Sequence, residues 1–408
     1  MVAKPARLGA IRRGAQSLGA VLLLLAGGCT KRNPRVCCET EAECASVGYD
    51  EPAPCDLGAC VANSCVEVGC DGDEDCGNST TCIAGSCRTT AEHCALLGGA
   101  RVLFDSDITG DEEIYIAYGD GSSPRALTTR PGLDISPRPE PTGTRMAFIR
   151  GGATSRDVFV MGIDGAEPVN LSNSTDLDEQ TVWAPSGGWL AITANAGTSA
   201  FLIATTGVAR LDLRGAAGSQ TSSPSWSPNS SRVVFASNSS AGSGLWTVQI
   251  DGSNAVEIVT GIGMTFSNPR WSPDGSKIAY LAEVSGATDI WTSDPDGMNS
   301  RNLTQSSAKE VDLEWSSDGA AIAFVREQGA LRDIWTMRQD GGSSKNLTFD
   351  DGINERPRWS PDGASLLYEH SGDGKRGLRR VSKDGGDSVA LTPDVANSAH
   401  GEWTACSP

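Results

Sequence analysis

From Ala95 to Trp403 the chain alternates short apolar runs with stretches rich in Gly, Pro, Ser and Asp, and the alternation has a period. Trp183, Trp226, Trp271, Trp315, Trp359 and Trp403 stand 43, 45, 44, 44 and 44 residues apart. The sharpest copies read PRWSPDGSKIAY from Pro269, LEWSSDGAAIAF from Leu313 and PRWSPDGASLLY from Pro357, with SPSWSPNSSRVVF from Ser223 close behind. Twenty residues after the tryptophan comes a second large apolar residue: Trp246, Trp291 and Trp335, with Tyr115, Phe159 and Ile203 at that offset in weaker copies. Five further on is Asp-Gly, at Asp120, Asp164, Asp251, Asp296, Asp340 and Asp384. Seven beyond that stands Leu127, Leu171, Ile258, Leu303, Leu347 or Leu391, usually followed by Thr. Each repeat thus reads as four short strands, with SPDG making the first reversal on a glycine at positive φ and Asp-Gly making the third.

Four-stranded repeats of this length bury their faces only against their neighbours, which predicts an all-β propeller over residues 89–408. Full units begin at Pro139, Trp183, Trp226, Trp271, Trp315 and Trp359. A seventh has strands at Val102 to Ser106, Glu113 to Gly119 and Arg125 to Thr128 but lacks a first strand, and Gly401 to Ala405 supplies one. The expectation is therefore seven blades closed by the C-terminal strand, which removes free sheet edges. Six is the alternative if the Trp183 unit is misread.

The motifs WSPDG, DIW, DG and NLT resemble the WD-like repeats of the TolB β-propeller family over about 300 residues. That resemblance implies a periplasmic protein that binds other envelope proteins, with no cofactor and no catalysis. The chain departs from the family pattern in two places. The Trp183 unit lacks the SPDG proline–aspartate pair and the Asp-Gly, and a cysteine-rich segment stands where TolB has an α/β domain, so TolB's own partners are not carried over.

Ahead of the repeats, Met1 to Arg13 is basic and Leu18 to Ala26 is apolar, about half the ~20 residues a spanning helix needs. Residues 1–28 read as an export signal, and Ala26-Gly27-Gly28-Cys29 resembles the lipobox of bacterial lipoproteins. The resemblance implies cleavage before Cys29 and acylation of that residue, with 29–36 as a linker; more than one acyl chain makes such anchoring stable. Thr30 is not the Asp that retains lipoproteins at the inner membrane, so the expected location is the outer membrane, on its periplasmic face or the cell surface. Thirteen cysteines less Cys29 leave an even twelve. Ten of them fill residues 37–88, a density that signals disulfides in an oxidising compartment. Cys60-VANS-Cys65 matches Cys82-IAGS-Cys87, and Cys38-ETEAE-Cys44 matches Cys70-DGDED-Cys76, giving two four-cysteine units. Two bridges are expected inside each unit, with Cys37 joined to Cys55, and Cys94 joined to Cys406 where the chain's two ends meet.

Charge narrows the partners. The net charge is −18, and the four cations and no acids of residues 1–28 leave −22 on the rest of the chain. Nucleic acid needs basic surface and is not an expected partner. Zinc needs paired CxxC knuckles, which the cysteine units lack. A calcium loop is the alternative reading of Asp71, Asp73, Glu74 and Asp75, and of Asp105, Asp107, Gly110 and Asp111, although the latter lacks an acid at the twelfth position. The three histidines, His93, His370 and His400, fall in separate segments without HxH or HExxH spacing, and no Gly-x-Ser-x-Gly elbow is present. A hydrolase or lyase therefore has no motif behind it. Asp134, Glu179, Glu310 and Glu355 precede first strands and are the candidate partner-binding face. The expected role is protein binding or scaffolding, with glycan or peptidoglycan binding as the alternative.

Overall fold

A computed structural model describes residues 100–213, 220–239, 242–349, 352–372, 374–393 and 396–405, and the backbone of six short strands between Gly28 and Thr89. The chain divides into two compact bodies, Met1–His93 and Cys94–Pro408. In the first, two hairpins set Cys60 opposite Cys65 and Cys82 opposite Cys87. The expected lipidation of Cys29 and the expected bridges of Cys37, Cys38, Cys44, Cys55, Cys60, Cys65, Cys70, Cys76, Cys82, Cys87, Cys94 and Cys406 concern side chains outside the described residues.

The second body is built entirely of strands and turns among its described residues. In the Trp271 unit Met264–Trp271, Ile278–Val284, Ala287–Ser293 and Arg301–Asn302 pair antiparallel in sequence order. The same order gives seven four-stranded units among the described residues. Five are separate sheets, and the Trp315 and Trp359 units share one through a single parallel pairing of Arg332 with Ile353. The unit containing Ala100–Ser106 takes Ser398–Ala405 as its first strand, with Trp403 opposite Val102.

Local chemistry explains the turns. In the SPDG and SSDG loops Asp274, Asp318 and Asp362 each accept a backbone N–H two residues on at 3.0 Å, and Gly275, Gly319 and Gly363 follow at φ of 72°, 71° and 65°. The Asp-Gly loops repeat the device: Asp251 accepts Ser253 N and Asp296 accepts Met298 N, with Gly252 and Gly297 at φ 83°. An aspartate that bonds its own backbone before a left-handed glycine is a self-contained turn.

Packing is between units, as the period requires. One cluster joins Ala147, Ile149 and Val158 to Trp183, Leu190 and Phe201, and another joins Leu367 and Leu378 to Val102, Phe104 and Tyr115. The repeating tryptophan adds a directional tie. Trp183, Trp226, Trp315 and Trp403 donate Nε1–H to the carbonyls of Arg138, Val182, Arg270 and Arg358, one unit earlier, at 2.9 to 3.2 Å. One assignment is corrected. In the Trp183 unit the second-strand residue Ile192 faces Phe201, not Ile203, because the hairpin before it is two residues shorter than in sister units.

Candidate functional site

The first strand of every unit contains a register shift, just ahead of the tryptophan position. In six units a non-glycine residue at the shift has positive φ: Ser136, Ser223, Asn268, Asp312, Arg356 and His400, all between 51° and 55°. Such a conformation costs on the order of 1–3 kcal/mol, and a bulge re-aims the side chains beside it. Here the re-aimed side chains share one cavity. It has a volume of about 510 Å³ and touches the first strand of all seven described units, through residues such as Arg138, Gln180, Ser223, Arg270, Glu314, Arg358 and Glu402.

The cavity is charged. Arg358 donates to Glu402 at 2.7 Å and to Glu314 at 3.2 Å, and Arg138 pairs with Glu402. Asn268 donates to Asp312 at 3.3 Å. Arg356 reaches Glu369 at 3.3 Å, and Arg270 donates to the Pro269 carbonyl at 3.0 Å without a carboxylate in salt-bridge range among the described residues. Four arginines and three carboxylates thus line the cavity, and Glu369 outside the lining partners Arg356, so the charges are dense and nearly balanced. Burial, then repulsion from Arg358 and Arg356, pushes the Arg138 guanidinium down to about 9, still charged at neutral pH. Burial lowers Arg270 as well, with Asp312 offsetting part of it. Burial raises the Glu314 carboxyl despite Arg358 beside it. Crowded, desolvated guanidinium groups favour an additional anion.

The four acids expected to form a partner-binding face are each engaged within the chain. Asp134 is buried in a two-pronged ion pair with Arg150, both contacts at 2.7 Å. Glu310 is fully buried, accepts from Arg326 at 2.8 Å and from Ser306 at 2.9 Å, and is raised by burial. Glu355 pairs with Arg332. Glu179 accepts the backbone N–H groups of Ala196 and Gly197 at 2.9 and 3.0 Å, closing its own unit's hairpin. None of the four lines the cavity. The signal for two of them lay in the sequence, since each buried acid is followed sixteen residues later by its arginine. The cavity residues had a positional signal only: they sit one or three places before the tryptophan, with no constant chemistry.

The remaining polar candidates are also committed. His400 contacts Asp105 at 2.6 Å, Asp105 accepts Ser136 N at 2.8 Å, and Asp107 accepts Asn397 N and Nδ2 at 2.7 and 2.9 Å. His370 contacts Asn354 at 2.9 Å. Among the described residues no group of three or more His, Cys, Asp or Glu is placed to hold a metal ion.

With the repeat, the four-stranded units and the cavity described, the chain can be set beside known proteins. Residues 97–267 and 258–407 match the TolB beta propeller domain. The chain belongs to that family. A TolB homolog of Chlorobium luteolum is 37% identical over 54 residues, which are 13% of this chain and 12% of that protein, so the chain spans only a small part of the relative it matches. TolB from Acinetobacter baumannii superposes with a TM-score of 0.52 at 17% identity, over 77% of this chain and 70% of that one. Oligogalacturonate lyase from Vibrio parahaemolyticus gives 0.55 at 15%, over 69% and 86%, and a puromycin-hydrolyzing peptidase of Mycobacterium tuberculosis gives 0.56 at 13%, over 70% and 50%. At these identities the likeness is one of fold. The TolB propeller in this chain thus shares its fold with TolB of other bacteria and with enzymes, and its own residues decide what it does.

Proposed function

We propose that this chain is an exported, lipid-anchored TolB-type propeller that binds another protein of the bacterial cell envelope, and that the axial cavity is part of its recognition surface. The observation that carries the reading is the bulge repeated at the same place in every first strand, which gathers charged side chains on one cavity at a cost in backbone strain. Strain held at one place in successive repeats suits recognition better than stability. In this reading seven blades close into one ring through Ser398–Ala405, and the ring occupies residues 89–408. Residues 1–28 are a removed signal, Cys29 carries the lipid, 29–36 is a tether, and 37–88 is a disulfide module. Bridges inside each four-cysteine unit are supported by the opposed positions of Cys60 and Cys65 and of Cys82 and Cys87. Cys37 with Cys55 and Cys94 with Cys406 complete the set. The propeller is non-catalytic, needs no cofactor, and sits at the outer membrane.

The test is site-specific photo-crosslinking in intact cells from Asn268, at the cavity, and from the exposed Ser253, which does not line it. A protein captured from Asn268 alone, and lost on Arg270→Glu, supports the reading. Equal capture from both positions, or none, overturns it. In the same cells Cys29→Ser is expected to move the chain from the membrane to the soluble fraction.

A further inference from the structure

The third and fourth strands of the seven described units share one central pairing, with a bulge beside it in the Trp226 unit. In the Trp315 unit Trp335 faces Asn346, and in the Trp359 unit Arg379 faces Ala390. This register lets one polar position be compared around the repeat. Asp289 accepts Asn302 Nδ2 at 2.7 Å, Thr304 Oγ1 at 2.9 Å and Ser306 N at 3.0 Å. Asp157 accepts Asn170, Ser172 and Ser174 in the same way, and Asp333 accepts Asn346 and Thr348. Where the sequence departs from this pattern, an acid is still supplied. Glu113 replaces the aspartate and bonds Thr128. Gly244 replaces it in the Trp226 unit, and a Cβ there would meet the carboxylate of Glu257, which reaches across from the fourth strand. In the Trp183 unit Asp212 takes the fourth-strand position.

The Trp359 unit has neither. The aspartate is Gly377 and the asparagine is Ala390, so DIW has become GLR and NLT has become ALT. Thr392 is kept, and its Oγ1 accepts Leu378 N at 2.9 Å as Thr304 Oγ1 accepts Ile290 N at 3.0 Å. Thr304 also donates to Asp289, whereas Thr392 has no carboxylate at that place among the described residues. The vacated place belongs to a cavity of about 350 Å³ lined by His370, Lys375, Arg376, Gly377, Arg379 and Thr392. Lys375 to Lys383, KRGLRRVSK, holds five cations and no acid in a chain of net −18. Arg379 stands where sister units have an aromatic ring and donates to Ser388 at 3.4 Å, and the Glu369 carboxylate lies 4.0 Å from Arg376. Asp373 and Asp394 adjoin the cavity in sequence and lie outside the described residues. Among the described residues the lining holds three cations and a histidine, with Glu369 as the one carboxylate in salt-bridge range of them.

We propose that this niche binds a carboxylate supplied by a ligand, in the place that an aspartate or glutamate of the chain itself fills in sister units. Arg379, with Arg376 beside it, supplies the charge, and the Thr392 hydroxyl supplies the inner hydrogen bond. The carboxylate is that of a free small acid or of an acidic protein segment. No residue lining the niche lines the axial cavity, so the two sites stand or fall separately.

Calorimetric titration of the full chain with succinate and with a hexaglutamate peptide, at constant ionic strength, tests the proposal. The decisive variant is Gly377→Asp, which restores the sister residue. Gly377 has no positive φ, and an added Cβ meets only Thr392 Oγ1, at 3.3 Å, which must give by a few tenths of an ångström, so the variant is expected to fold, as its melting profile checks. Its built-in carboxylate should weaken binding at least about tenfold, and Arg379→Gln should weaken it by a smaller factor. Peptide binding much tighter than succinate binding identifies a protein source, and similar affinities identify a free acid. Unchanged binding by Gly377→Asp, tighter binding of inorganic phosphate than of either carboxylate, or no binding of either probe overturns the proposal.

Discussion

The Trp315 and Trp183 units share strand order, bulged first strand and tryptophan tie, yet they treat the same buried acid differently. In the Trp315 unit Glu310 meets Arg326, whose guanidinium also lies 4.4 Å from the Trp335 ring centre. In the Trp183 unit the equivalent acid is Asp178, and the residue sixteen places on is Ala194. Asp178 is fully buried and neither carboxylate oxygen makes a hydrogen bond of ordinary geometry. The unit's arginine comes from the fourth strand instead: Arg210 stacks 3.6 Å from the Phe201 ring centre and pairs with Asp176 at 3.0 Å. The apolar clusters between units therefore hold the blade shape, and the buried ion pair is an accessory found in two of the seven described units. That is why a repeat can diverge in its polar residues while keeping its period.

The strongest way to break the comparison is to unpair the Trp315 unit. Glu310→Ala strands a largely buried Arg326, and removing one partner of a buried pair costs about 3–5 kcal/mol. Replacing both by Met should recover most of the loss, since an apolar pair of similar volume has no desolvation penalty. Urea unfolding followed by tryptophan fluorescence measures both. A Glu310→Ala loss below about 1 kcal/mol would show that the pair adds nothing to its blade.

The Trp183 unit predicts the opposite sign. Burial, with repulsion from Asp157 and against the pull of Ser172, pushes the Asp178 carboxyl up to about 6. A carboxylate whose folded pKa lies above its unfolded value destabilises the fold once ionised. The penalty is in full force above pH 6 and is relieved as pH falls through 6 toward the unfolded value near 3.8. Two pKa units correspond to about 3 kcal/mol as a ceiling. Asp178→Asn should thus gain roughly 2 kcal/mol at pH 7.5, and the gain should shrink by pH 5, in unfolding curves at the two pH values. An equal gain at both would show that Asp178 is not the group being titrated.

The contrast also marks what the sequence made legible. The tryptophan lattice, the Asp-Gly and SPDG turns and the strand order follow from short-range rules, and turn residues state their geometry openly. The bulge does not. It displaces side chains by one position without a characteristic residue, since Ser136, Asn268, Asp312 and Arg356 share only a place relative to the tryptophan. For this reason sequence alone does not separate the acids of a partner-binding face from Asp134 and Glu310, which are buried against Arg150 and Arg326. The basic niche was visible as the change from DIW to GLR, but its meaning depended on knowing that the aspartate of DIW accepts hydrogen bonds from NLT.

A smaller effect comes from the tie the two units share. Trp183 and Trp315 each donate an indole N–H to the preceding unit, whereas the Nε1 of Trp359 has no acceptor. Phenylalanine at all three positions removes similar volume, so the difference isolates the hydrogen bond. Trp183→Phe and Trp315→Phe should each cost about 1 kcal/mol more than Trp359→Phe in thermal unfolding. Equal costs at the three sites would assign the tryptophan's value to packing alone.

The smallest effect lies in the first turn. In the Trp315 unit Asp318 accepts the Ser316 hydroxyl at 2.6 Å and Ala320 N at 3.0 Å, and the Ser316 bond holds its carboxyl below the usual range. The Trp183 unit has Ala184 and Ser186 at the two places. Ser186→Asp restores the backbone acceptor but not its hydroxyl donor, so it should gain only about 0.5 kcal/mol, as a turn aspartate does on a solvated loop. Adding Ala184→Ser supplies the donor and should enlarge the gain, if the fully buried Ala184 site accepts one more oxygen. Because the new carboxylate would be held below its unfolded pKa, the gain is present at neutral pH and fades as pH falls through the acid range. A double variant no more stable than Ser186→Asp would mean that the buried site, not the turn, limits how far this unit can be returned to the pattern of its neighbours.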